Sequence, residues 1–326
     1  MSLERKRLLK AAGVLLGSLA LMALSVAWLD IPHIRSLKII SHLFLGVGII
    51  SVAGTIFLLA MRWRIILSAY MTPPAVLPTL TALSAISFLS MFLPKEIMEF
   101  FGRTLWLKKK YDIDYVRGSS SVFMDRLLDL MALAVTLIPA ICFIYLELSA
   151  TEALCVLLAC TTGGLAVVAL SGEHIFSGLN RLFLWVKNRI NRLRKKPQET
   201  ISLPELSKGA VMRAFVAALV KFLLVDVYYW AFLQAIGPEV GLPVFILIVP
   251  FIQLIFIFSF TVGGMGFVEF GWYATLSYLE TDAQFISAYL LAQRLFLIIA
   301  FAVVLAIFYA CSAIFSNMGK ERTNYL

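Results

Sequence analysis

Asp125, Arg126 and Asp129 crowd into one apolar run, and Glu269 and Arg294 stand in two others near the end of the chain. A charge at hydrocarbon depth costs about 2.5–3.5 kcal/mol even on the lenient insertion scale, so such residues are ordinarily paired and often functional. Arg126 and Asp129 have i,i+3 spacing, which allows a local ion pair on a helix. An earlier apolar segment adds Lys95, Glu96, Glu99 and Arg103, and Lys221 with Asp226 forms a further polar spot. Two chemistries fit these residue types. One is a set of buried ion pairs that lock segments to their neighbours. The other is a hydrated, charged cavity that accepts a lipid headgroup, because the planar fork of arginine binds phosphate oxygens two at a time. A helix N-terminus near Gly263, Gly264 and Gly266 would add partial positive charge and backbone N–H groups for the same anion. Those glycines equally suit a tight turn at close packing.

The elements that position these residues belong to a membrane protein. The 326 residues are 61% hydrophobic and 14% charged, with a mean hydropathy of +0.92. A soluble domain would carry roughly a quarter charged residues. The apolar runs are continuous over lengths that suit helices, whereas a β-barrel would show alternating segments of about ten residues. The net charge of +9 does not point to nucleic acid, since the basic residues flank hydrophobic spans as cytoplasmic loops do. Cys142, Cys155, Cys160 and Cys311 lie within apolar runs and the three histidines are scattered, so no metal, redox or cofactor site is expected. No Ser/His/Asp set, HExxH or P-loop is present.

Full spans are expected near 11–29, 39–60, 117–146, 152–170, 211–235 and 285–315, the first being an uncleaved N-terminal span. Two further apolar stretches, 77–107 and 243–280, are interrupted by Pro94-Lys95-Glu96 and by Gly263 to Glu269. Each reads as a re-entrant helical hairpin that begins and ends on one side. With six spans, both termini face the cytoplasm. Of the 28 Lys and Arg residues, 21 then fall in inside loops, among them Arg62, Arg64 and the Arg103–Arg117 cluster. If 77–107 crossed once, Lys108-Lys109-Lys110 and the Arg189–Lys196 run would both face outward, against the charge bias.

The fold class is therefore all-α and polytopic, with about six full spans and two re-entrant hairpins in an inverted repeat. Residues 1–326 form a single membrane domain. The first repeat covers 39–146, a linking span 152–170, a basic cytoplasmic loop 171–206, and the second repeat 211–315. The span–hairpin–span order recurs with opposite orientation, and Glu99-Phe100-Phe101-Gly102 has a counterpart in Glu269-Phe270-Gly271.

At these residues the chain resembles the transmembrane region of lysylphosphatidylglycerol synthase and its stand-alone, flippase-like relatives. The resemblance is carried by Arg62-Trp63-Arg64, by Leu93-Pro94 leading to Glu99 and Arg103, by Asp125-Arg126-Leu127, by Gly263 to Glu269, and by Arg294. It covers about residues 10–316. Lys95-Glu96-Ile97-Met98 stands where the family often has glycine, and Val268 where arginine is frequent.

The resemblance implies a protein of the cytoplasmic membrane that moves or handles a phosphate-bearing lipid: aminoacylated phosphatidylglycerol, a polyprenyl-linked sugar or a hopanoid-type lipid. The aminoacyl-transferring domain of the full synthase is a separate soluble domain, so no lysyl transfer is expected. Headgroup contacts are assigned to Glu99, Arg103, Asp125, Arg126, Asp129, Glu269 and Arg294, and the hairpin backbone to Pro94, Gly263, Gly264 and Gly266. Partners would be membrane lipids and a lipid-modifying or glycosyltransferase enzyme, not nucleic acid. Two alternatives stand beside this reading. One is a membrane-embedded enzyme acting on a lipid-linked sugar through Asp125 and Glu269. The other is a non-transporting scaffold that recruits a partner through 171–206.

Overall fold

A computed structural model describes residues 39–193, 205–237, 240–257, 261, 264 and 266–323, with side chains through Ile314 except that of residue 190. The expected first span at 11–29 lies outside these residues, as do Gly263 and the segment 194–204. The described elements are helical throughout, without a β-strand.

Nine helices are labelled here: α1 His42–Leu67, α2 Val76–Leu89, α3 Arg103–Tyr111, α4 Tyr115–Tyr145, α5 Ala150–Leu193, α6 Lys208–Ile236, α7 Leu242–Ile257, α8 Phe267–Tyr278 and α9 Ala283–Thr323. A short turn, Lys95–Ile97, and a π-helical segment, Met98–Gly102, lead into α3. Among the described residues, four stretches are long and apolar enough to cross a bilayer: α1, α4, α5, and α9 from Ala283 to Ile314. Helix α6 matches them in length at 29 residues but carries Lys221 and Asp226 in its middle.

Both interrupted segments are broken helices. Helix α2 has 14 residues and α7 has 16, about 21 and 24 Å, short of the ~30 Å hydrocarbon layer. In the second segment α7 packs against α8. Gly271 makes that approach possible, since a β-carbon there would stand 2.8 Å from Ile255 Cδ1. The connection needs glycine for a different reason. Gly264 and Gly266 have φ values of +75° and +85°, in the left-handed region that L side chains avoid.

Capping sets the boundary between α3 and α4. Asp112 ends α3 in a left-handed conformation, its N–H donating to Leu107 O. Asp114 starts α4 by accepting from Val116 N–H at 3.1 Å. Gly118 lets α4 lie close to α3, where a β-carbon would meet Thr104 Cγ2 at 3.2 Å.

The stretch 171–193, within the basic segment 171–206, is helical. It continues α5 without a break, giving 44 residues or about 66 Å, roughly twice the hydrocarbon thickness. Exposed Leu182, Trp185 and Val186 alternate there with Arg181, Lys187 and Arg189.

The chain resolves into two compact units. One comprises Gly54–Leu83 and Phe100–Leu223; the other comprises the described parts of Met1–Ala53, Ser84–Glu99 and Leu224–Leu326. Each draws on both halves of the sequence.

Candidate functional site

In the first unit, α4 presents Asp125 and Asp129 one turn apart, on the same side of the helix. Arg62, from α1, spans the two. Its Nε donates to Asp125 Oδ1 and its Nη1 to Asp129 Oδ1, each at 2.6 Å. One planar fork can do this because i,i+4 carboxylates are spaced for it; a lysine would reach one of them. Arg103, at the start of α3, donates through Nη1 to Asp125 Oδ2 at 2.6 Å, so each oxygen of Asp125 accepts from a different arginine. Lys221 of α6 donates to Asp129 Oδ1. Arg126 Nη1 lies 3.5 Å from Asp129 Oδ2, the expected i,i+3 pair, but at greater length than the contacts from other helices.

Four cations and two carboxylates therefore meet in one unit. Arg62, Arg103 and Asp125 are fully buried, while the side chains of Arg126 and Lys221 keep 18% and 13% exposure. Indole and hydroxyl groups hold the cluster in place. Trp63 Nε1 donates to Ser121 Oγ at 3.3 Å, and the Arg103 guanidinium lies over the Trp63 ring at 5.4 Å. Nearby, Tyr70 OH and Ser120 Oγ are 2.9 Å apart. Arg62 Nη2 is buried and has no hydrogen-bond partner among the described residues.

In the second unit, Arg294 of α9 donates through Nε to Glu269 Oε1 at 2.7 Å. Glu269 also accepts from Gly266 N–H through Oε2, at 2.7 Å. The carboxylate thus caps the helix of which it is the third residue, and it occupies the N-terminal donor that the sequence offered to an external anion. Glu99 is buried, 5% exposed, within the π-helical segment. Pro94 precedes that segment and its carbonyl accepts from Met98 N–H at 3.0 Å.

Of the residues singled out from sequence, Arg103, Asp125, Arg126 and Asp129 come together in the first unit, and Glu269, Arg294 and Gly266 in the second. Two members of the first cluster escaped that reading. Arg62, expected in an inside loop, is helical and fully buried. Lys221 shares a polar spot in sequence with Asp226, and its ion-pair partner is Asp129. The acid/base pair considered for enzymatic work, Asp125 and Glu269, consists of carboxylates each already held by arginine.

A family model described as the lysylphosphatidylglycerol synthase TM region matches residues 11–316. No curated protein and no solved structure matches the chain.

Proposed function

The chain belongs to the family of lysylphosphatidylglycerol synthase TM regions, and from that membership and the cationic cluster we propose that it translocates or handles a phosphate-bearing lipid in the cytoplasmic membrane. The observation that carries this reading is Arg62. Its Nη2 is buried without a hydrogen-bond partner among the described residues, in a cluster whose ion-paired groups there comprise four cations and two carboxylates. A buried guanidinium N–H left unused is costly, and a phosphate oxygen is the acceptor that suits it best. Arg126 and Lys221 are the two exposed members, and they would meet a headgroup first.

On this reading the headgroup phosphate engages the cluster of Arg62, Arg103, Arg126 and Lys221, and Asp125 and Asp129 hold those cations in position. The Glu269–Arg294 pair fixes the start of α8 and adds polar surface within the second unit. The two broken-helix segments would be re-entrant and related as an inverted repeat, with both termini in the cytoplasm. The protein would act as a carrier rather than as an enzyme.

Native mass spectrometry of gently extracted protein tests this, with wild type beside Arg126→Ala/Lys221→Ala. A retained phosphate-bearing lipid in wild type that is lost in the variant supports a headgroup site. Absent lipid, or equal retention in a variant that remains folded, assigns the cluster to structure alone.

A further inference from the structure

The second unit contains a buried carboxylate that is treated quite differently from those of the first. Asp226 of α6 is fully buried, and among the described residues it hydrogen-bonds to one group, the side-chain amide of Gln253 on α7. Gln253 Nε2 donates to Asp226 Oδ1. Asp226 Oδ2 and Gln253 Oε1 are both buried, and among the described residues neither has a hydrogen-bond partner. Among the described residues no ion pair reaches Asp226, whereas Asp125 has two arginines and Asp129 has two arginines and a lysine.

The two unpartnered atoms are an oxygen of the acid and the oxygen of the amide that already touches it. As long as the acid is ionised, both are acceptors and nothing can join them. One added hydrogen changes this. A carboxylic acid and a primary amide are complementary: the amide N–H donates to the acid carbonyl and the acid O–H donates to the amide oxygen, closing a ring of two hydrogen bonds. Protonation would therefore satisfy both orphaned atoms in one step and remove a charge from an apolar interior.

We infer that Asp226 and Gln253 form a buried proton-binding site, occupied when the Asp226 carboxyl is protonated and its O–H donates to Gln253. The surroundings support the uncharged form. Helix α7 contributes no titratable residue. Tyr228 lies on the same helix as Asp226, and Tyr289 on α9. Both are neutral phenols at physiological pH. Glu269 of α8 and Arg294 of α9 are paired with each other. Lys95 lies 3.8 Å over the Phe256 ring, with Glu96 and Glu99 in the same stretch, and the N-terminal half of α1, which packs on α6 where Gly48 faces Phe232, has His42 as its titratable side chain. None of these is a hydrogen-bond or ion-pair partner of Asp226.

Lys221, which holds Asp129 of the cationic cluster, lies five residues before Asp226 on the same helix. A helix that carries a proton site and a headgroup contact can make lipid movement depend on proton movement. That coupling role rests on the translocation reading; the proton-binding site does not.

Infrared difference spectroscopy on purified wild type, Asp226→Asn and Gln253→Leu in lipid nanodiscs reads the site directly. Wild type should show the carbonyl stretch of a protonated carboxylic acid at neutral pH. The band should be lost in Asp226→Asn and shifted in Gln253→Leu. Its absence from wild type, or its persistence in Asp226→Asn, overturns the proposal, and thermal melts of the same samples show that the variants are folded. In vesicles bearing a fluorescent phosphatidylglycerol, an imposed pH gradient should accelerate lipid movement in wild type and leave Asp226→Asn unaffected. Lipid movement indifferent to the gradient, with the band intact, would remove the coupling and leave translocation standing. No lipid movement in wild type, with the band intact, would remove translocation and leave the proton site.

Discussion

Arg62 Nε lies 2.6 Å from Asp125 Oδ1, and neither side chain has any solvent exposure. The same guanidinium holds Asp129. Removing one partner of a buried charge cluster strands the others, at a cost of about 3–5 kcal/mol. Arg62→Ala should therefore lower the melting temperature of the purified protein sharply, and Arg62→Lys should fall between it and wild type because an ammonium reaches one carboxylate. A melt of Arg62→Ala that matches wild type would show that the bridge contributes little.

Arg126 and Lys221 should behave in the opposite way. Both keep partial exposure, and Asp129 retains Arg62 if either is lost. Charge-assisted hydrogen bonds contribute about 1.5–3 kcal/mol, so Arg126→Ala/Lys221→Ala should weaken retention of a phosphate-bearing lipid about ten-fold or more. Its melting temperature should move far less than that of Arg62→Ala. Lipid occupancy by native mass spectrometry and a melt on the same preparation separate the two effects.

Glu269 has two tasks, and substitution separates them. Glu269→Gln retains an oxygen that can accept from Gly266 N–H but loses the charge facing Arg294, while Glu269→Ala loses both. Loss of a helix cap costs about 0.5–2 kcal/mol. Glu269→Ala should accordingly be the less stable of the two by thermal denaturation; equal stability would mean that the cap contributes nothing.

Glycine to alanine should have opposite signs at two positions. Gly266 has open space around it but a φ of +85°, so Gly266→Ala should cost about 1–3 kcal/mol through backbone strain alone. Gly46 is within α1 with nothing near its missing β-carbon, and Gly46→Ala should be neutral or stabilising by up to ~1 kcal/mol. Melting temperatures of the two variants measure both.

A pH effect is expected outside the membrane, at the end of α3. Lys108 Nζ donates to Asp112 Oδ1 at 2.6 Å, which lowers the carboxyl below its ordinary range and raises the lysine above its own. The lowered carboxyl contributes stability above its unfolded value, lost as pH falls through the folded one. The raised lysine contributes below its unfolded value, lost as pH rises through the folded one. The pair is complete from about pH 5 to pH 9. Hydrogen exchange at the Asp112 amide, which donates to Leu107 O, should be most protected in that window relative to Asp112→Asn. Protection identical in the two proteins across pH would remove the effect.

Much of this architecture is legible in the residues because bilayer insertion leaves few options. A backbone in hydrocarbon must satisfy its own hydrogen bonds, so apolar runs of sufficient length become helices. Proline and paired glycines mark where those helices break. The i,i+3 contact of Arg126 with Asp129 and the pairing of Glu269 with Arg294 were also foreseeable. The first depends on local helix geometry, and the second on the need to neutralise a lone charge at depth.

Residue order alone thus sets the class of the protein, its helix breaks and the charges that had to find partners. Which partners they found was decided by tertiary structure. Arg62 is 63 residues from Asp125 and Lys221 is 92 from Asp129, separations over which no local periodicity reports. Arg62 is buried where it joins the two carboxylates of α4. Asp226 shows the same limit from the other side. In sequence it is one acid near one lysine, but in the fold that lysine belongs to Asp129 and the acid is left with the amide of Gln253. A buried charge takes whichever compensating group packing brings within hydrogen-bond distance, and that choice is made by the fold.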